Sequence, residues 1–113
     1  MEDCIFCRII KGEIPSTKVF ENDSVLAFLD INPVAPVHIV VVSKQHISSV
    51  AAIDSSNSMV VSKIFEAIAI IAREQNLTEG YRVVSNIGPA AGQTVPHLHF
   101  HLLGGKTMSL TLC

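Results

Sequence analysis

Charge is scarce in this chain of 113 residues: Asp, Glu, Lys and Arg make up 16% of it, and 8 basic against 10 acidic residues leave a net charge of −2. No cluster of Lys and Arg occurs anywhere, which argues against a polyanion held by an electrostatic clamp and leaves a small anion in a local pocket. Nucleic acid is therefore not an expected partner. Apolar runs of membrane length are lacking as well, since the longest fall well short of the roughly 18 residues a span needs. The opening Met1-Glu2-Asp3 is not the basic-then-apolar start of a secretory signal. The expectation is a soluble cytoplasmic protein with no membrane partner. Repeats, low-complexity tracts and long polar linkers are also missing, and the length is about one domain's worth at roughly 100–200 residues each. We expect a single domain over residues 1–113, which excludes a multidomain enzyme or a large barrel.

Cysteine is sparse and odd in number, at positions 4, 7 and 113. The close pair Cys4-x-x-Cys7 suggests a metal half-site or a redox pair more than a disulfide framework. Nothing around it resembles a strand leading into a thioredoxin-like helix, so redox chemistry is the weaker alternative. Two buried structural thiols would be the plain reading.

What the chain does have is apolar surface: 49% hydrophobic residues and a mean hydropathy of +0.45, more than a chain this small needs to hide by itself. An oligomer is one outlet. Residues 4–11 place Ile5 with Ile9 and Phe6 with Ile10 at helical spacing before Gly12, predicting one or two turns. Residues 17–21 and 24–29 read as a hairpin about Asn22-Asp23, and 37–43 as a third strand. From about 57 to 75 the apolar pattern is helical and so broad that little polar face is left, as for a helix covered on more than one side. Strands at 81–87 and 97–103 close the chain around a Gly/Pro-bearing loop, 88–96. The fold class is α+β, with a mainly antiparallel five-stranded sheet, one long helix and a short N-terminal helix.

The five histidines lie at 38, 46, 97, 99 and 101. In a strand, His97, His99 and His101 put three imidazoles on one face about 6.6–6.8 Å apart, with Leu98, Phe100 and Leu102 opposite. One such ring is usually structural, but three in register point to chemistry. A three-His zinc centre is one option. The other assigns metal to Cys4 and Cys7, which need two more ligands that His46 and His97 can supply, and leaves His99 and His101 free. The middle ring, His99, suits nucleophilic catalysis, because a neutral imidazole attacks phosphorus or carbon once its other nitrogen donates to a fixed acceptor. The preceding loop can turn backbone amides inward, and Gln93 and Thr94 add neutral donors.

Residues 97–103, HLHFHLL, fit the His-φ-His-φ-His-φ-φ motif, and the chain resembles the histidine triad (HIT) superfamily, in particular its histidine triad nucleotide-binding branch. Stretches from CIFCRIIKGEIPSTKVFEND to LLGGKTMS carry the likeness over roughly residues 4 to 108. The resemblance implies a homodimer whose sheet continues from one subunit into the next. It also implies a hydrolase that cleaves purine nucleoside 5′-phosphoramidates and related adenylates, conjugates of AMP or GMP, to the nucleoside monophosphate through a covalent nucleotidyl-histidine. By matching position His99 is the nucleophile, and His101 with Gly92, Gln93, Thr94 and the amide of Val95 holds the phosphate. Asp30 takes the ribose hydroxyls, although unaided it reads equally as a turn residue before Asn32-Pro33. Ile5, Phe6, Ile9, Phe28, Leu29 and Ile31 enclose the base, where pattern alone makes them core, and Asn86 lies beside the nucleotide. Zinc, with a structural role, falls to Cys4, Cys7, His46 and His97. His38 matches no assigned catalytic role and is read as a strand residue. The chain departs from the branch in its tail, which is Met108-Ser109-Leu110-Thr111-Leu112-Cys113 instead of a Trp-Pro-Pro-Gly-like end. The rival functions are a zinc-dependent hydrolase and a non-catalytic nucleotide-binding or scaffold module.

Overall fold

Seven consecutive residues, Val37-His-Ile-Val-Val-Val-Ser43, are dominated by β-branched side chains, which pack well on a pleated surface buried on both faces. In the computed structural model, which describes residues 3–111, they form the middle of the sheet. Met1, Glu2, Leu112 and Cys113, and with them the readings placed on the first residues and on the last cysteine, lie outside the described residues. The strands are β1 (Lys18–Glu21), β2 (Val25–Leu29), β3 (Val37–Ser43), β4 (Tyr81–Val84) and β5 (His99–Gly104), in the order β1-β2-β3-β5-β4 and antiparallel at every pairing. The helices are α1 (Ile5–Ile10) and α2 (Met59–Glu74).

The period of two along each strand separates two cores. On one face Val25, Ala27, Ile39, Val41, Phe100 and Leu102 meet Ile64, Ala67, Ile68 and Ile71 of α2. Full burial of such a Leu or Ile contributes about 1.5–3 kcal/mol, and Ile39, Ile64 and Leu102 are all fully buried. On the other face Leu26, Phe28, Val40 and Val42 meet Cys4, Phe6, Cys7 and Ile9 of the N-terminal segment. Here α1 covers only part of the sheet, and the uncovered part lies over His99 and His101. The broad apolar stripe of α2 leaves Met59 and Phe65 exposed, and β4 forms one edge of the sheet with Tyr81 and Val83 exposed.

Two strand boundaries differ from expectation. The last strand begins at His99, not at residue 97, because the His97 amide turns back to the Val95 carbonyl (2.8 Å) and the Leu98 amide donates to the Ile47 carbonyl (2.6 Å), outside the ladder. Strand β4 stops at Val84, where the Ser85 hydroxyl donates to the His99 carbonyl (2.8 Å) in place of a backbone pairing. Consequently His97 does not share one strand face with His99 and His101. No helix of the described residues is long and apolar enough to cross a membrane.

Candidate active site

His97, turned out of the strand, joins the N-terminal helix. Its Nε2–H donates to the Ser43 carbonyl (2.7 Å), so the proton sits on Nε2 and Nδ1 is a bare lone pair. That Nδ1 lies 3.3 Å from Cys4 Sγ, 3.5 Å from Cys7 Sγ and 3.2 Å from His46 Nδ1, while Cys7 Sγ is 3.2 Å from His46 Nδ1. A tetrahedral zinc with Zn–S near 2.3 Å and Zn–N near 2.0–2.1 Å has ligand-to-ligand edges of roughly 3.3–3.8 Å. The four donors already stand at about that spacing. Burial pushes His97 below its ordinary value, with His46 and His99 acting the same way against the Ser43 carbonyl, so the ring is neutral, as a metal ligand must be. The Cys7 thiol is raised to about 11, mainly by burial and then by Cys4 beside it. A bound cation reverses that shift, because coordination removes the thiol proton. The donor set therefore fits a closed structural site of the Cys₂His₂ kind.

His99 is oriented the other way round. Its Nδ1–H donates to the His97 carbonyl (2.6 Å), which fixes the tautomer and leaves Nε2 as the lone pair. The ring makes a T-shaped contact with Phe6, centroids 5.0 Å apart, and Phe6 also touches His97 (5.9 Å) and Phe28 (5.7 Å). His99 and His101 both line a cavity of about 940 Å³, and their rings lie 5.2 Å apart. Burial lowers His101 from its ordinary value, as do His99 and His38, with Asp30 opposing. At neutral pH it is an uncharged ring.

The cavity gathers Ile5, Phe6, Ile9, Phe28, Leu29, Asp30, Ile31, Asn86, Gly92, Thr94 and Val95 with the two histidines. The apolar residues form one wall and the loop before β5 another. That loop makes a 3₁₀ turn at Pro89–Ala91 between Gly88 and Gly92, whose φ values of 86° and 91° favour glycine. Among the described residues the amides of Thr94 and Val95 have no acceptor, and both residues face the cavity. Asp30 is both a turn residue and a cavity residue: its Oδ1 accepts from the Asn32 amide (2.7 Å), and its carboxylate retains acceptor sites for a ligand.

A profile of the HIT domain matches residues 11–108. The chain belongs to the HIT family. It is 46% identical to a HIT family hydrolase from Clostridium thermocellum, with a TM-score of 0.98, covering 100% of this chain and 99% of that one. It is 43% identical over 107 residues to the 14 kDa zinc-binding protein of Zea mays, covering 93% of this chain and 84% of the relative. It is 40% identical over 107 residues to the adenylylsulfatase HINT1 of Arabidopsis thaliana, covering 93% and 73%.

Within this HIT fold, two expectations change. Gln93 does not line the cavity: its Oε1 accepts from the Gly88 amide (2.9 Å), and its Nε2 donates to the Ser48 (2.8 Å) and Val95 (3.0 Å) carbonyls. Its amide also donates to the Gly88 carbonyl (3.1 Å), so Gln93 braces the loop and has no donor left for an anion. A metal centre of His97, His99 and His101 does not form, because the His97 lone pair points to the cysteines and the His99 ring points to the cavity. Sequence reasoning passed over Ile14, Pro15, Ser16, Thr17 and Val40 as cavity residues, and His38 as a neighbour of His101. Only the pairing of β3 with β5, which no local pattern encodes, brings that ring to the site.

Proposed function

We propose that this HIT protein hydrolyses purine nucleoside 5′-phosphoramidates and related adenylates to the nucleoside monophosphate through a nucleotidyl-histidine at His99. The observation that carries the reading is the bare Nε2 of His99 at the cavity, its tautomer held by the His97 carbonyl, beside His101 and the free amides of Thr94 and Val95. In the first step His99 Nε2 attacks phosphorus, the P–N bond breaks, and the departing nitrogen takes up a proton and leaves as the amine. In the second, water attacks the same phosphorus and gives up a proton, the bond to Nε2 breaks, and His99 returns to its starting state. His101, Thr94 and Val95, with Gly92 shaping the loop, offer donors to the non-bridging oxygens, where charge builds in both transition states. Asp30 accepts from the ribose diol, Asn86 flanks the nucleotide, and the wall of Ile5, Phe6, Ile9, Phe28, Leu29 and Ile31 takes the base. A relative named for adenylylsulfatase activity supports an adenylate substrate class.

Zinc at Cys4, Cys7, His46 and His97 would supply folding energy by tying the N-terminal helix to the end of the sheet. The exposed apolar edge at Tyr81 and Val83, with Phe65 on α2, suits pairing to a second copy in a homodimer. The protein would act in the cytoplasm. The test is steady-state hydrolysis of an adenosine 5′-phosphoramidate by the wild type and by His99→Ala, with AMP binding measured by calorimetry. AMP release by the wild type alone, with binding retained in both, is the expected result; equal turnover in His99→Ala overturns the reading.

A further inference from the structure

His38 is buried in β3, one side chain away from the reacting centre. The Val34 amide donates to its Nδ1 (3.1 Å), so Nδ1 holds a lone pair and the ring's one proton is on Nε2. Two acceptors compete for that proton: Nδ1 of His101 at 2.9 Å and Oδ2 of Asp30 at 3.3 Å. When the proton goes to His101, the His101 proton must sit on its own Nε2, and the ring meets the cavity as a donor. When the proton leans to Asp30, His101 Nδ1 loses its partner and the tautomer is no longer enforced. The backbone holds this arrangement in place, since the Asp30 amide donates to the His38 carbonyl (3.0 Å) and Asp30 Oδ1 caps the turn through Asn32 (2.7 Å). Asp30, His38 and His101 cluster closely enough to suggest a cation site, and a single proton on His38 Nε2 shared between two acceptors accounts for the same spacing.

We propose that His38 is a positioning residue that shares its single proton between Asp30 and His101, and that a ribose diol seated on Asp30 shifts it to His101. The proposal rests on the nucleotide reading above and deepens it. A carboxylate that already accepts two hydroxyls and the Asn32 amide is a poorer acceptor for a further N–H, so the Nε2 proton turns to His101. Sugar recognition is thereby coupled to the donor at phosphorus. The diol raises turnover in addition to affinity, and the preferred substrates are ribonucleotide conjugates over deoxy counterparts.

The experiment compares an adenosine phosphoramidate with its 2′,3′-dideoxy counterpart in the wild type, His38→Gln and His38→Leu. Losing one net hydrogen bond of about 1 kcal/mol predicts a kcat about fivefold lower without the diol in the wild type. His38→Gln offers a carboxamide N–H to His101 and an oxygen to the Val34 amide, and retains most of the ribonucleotide kcat. In His38→Leu kcat falls and the diol acts on KM alone. Nitrogen-15 spectra of the imidazoles supply a readout independent of turnover: adenosine, but not dideoxyadenosine, shifts the His101 Nδ1 resonance toward a stronger hydrogen bond in the wild type. The proposal is overturned by the same ribo-to-dideoxy kcat ratio in the wild type and His38→Leu, or by identical His101 shifts with both nucleosides. A wild type that shifts as described but releases no AMP defeats the hydrolase reading and leaves the hydrogen-bond relay standing.

Discussion

His97 and His99 are two residues apart, and each gives one ring proton to a carbonyl, yet the two rings do opposite work. His97 donates from Nε2 and points its lone-pair Nδ1 at two thiols and another imidazole, buried and away from the cavity lining. His99 donates from Nδ1 and keeps Nε2 for the cavity. The difference arises from where the strand begins: turning back at Val95 swings His97 into the N-terminal helix, while His99 stays in register opposite Val42. On the function proposed above, one lone pair would hold the fold through zinc and the other would meet an incoming electrophile. Phe6 touches both rings in T-shaped contacts.

The sharpest way to break this division is to remove each lone pair in turn. His99→Ala costs at least about a thousandfold in turnover, on the scale of losing an enzyme's nucleophile, with the thermal midpoint shifted little; an unchanged rate contradicts the assignment. Cys7→Ser, or stripping metal with a chelator, does the converse. The loss is several kcal/mol of folding free energy, because ligand binding and folding are coupled at such sites. Zinc restores the thermal midpoint of the stripped wild type, and the rate per folded molecule at low temperature stays near normal. Immediate and complete loss of turnover while the protein remains folded would move metal to the reacting centre.

Phe6→Ala strikes both regions. Truncating a buried Phe costs about 3–5 kcal/mol, and here His99 also loses its packing, so a urea midpoint and kcat fall together; loss in only one of them contradicts a role for Phe6 in both regions. The smallest effect concerns pH. The unfolded His101 takes up a proton at its ordinary value and the folded ring only at a lower pH. Its contribution to stability is present above the unfolded value, near 6.5, and is lost as pH falls through the depressed one. Urea midpoints between about pH 5 and 7 therefore rise with pH, less steeply in His101→Asn; parallel slopes contradict the direction.

Much of the fold is legible in local pattern. The central strand is expected at 37–43 and found at Val37–Ser43, and the long helix, expected over 57–75, is Met59–Glu74. These elements are read well because a run of β-branched residues and a helical apolar stripe are each set by neighbours along the chain. The close pair Cys4-x-x-Cys7 is legible for the same reason, and grouping it with His46 and His97, which the fold brings together, needed spacing and the family likeness. What could not be read depends on contacts between distant segments. His38 looks like any strand residue until β3 is laid beside β5, and Gln93 looks like a donor until its amide is found on Ser48. The start of β5 belongs here too, because His97 leaves the ladder to meet Cys4 while the Leu98 amide bonds the Ile47 carbonyl, contacts that the alternation of histidines does not encode.

Which atom attacks phosphorus decides between the proposed nucleophile and its rivals. Rapid quench of the wild type with an adenosine phosphoramidate, followed by intact mass and peptide mapping, tests this directly. We predict a nucleotidyl adduct on the peptide carrying residues 97–103, localised to His99 and absent in His99→Ala. Release of AMP by the wild type with no adduct at any quench time, or an adduct on another residue, would contradict it.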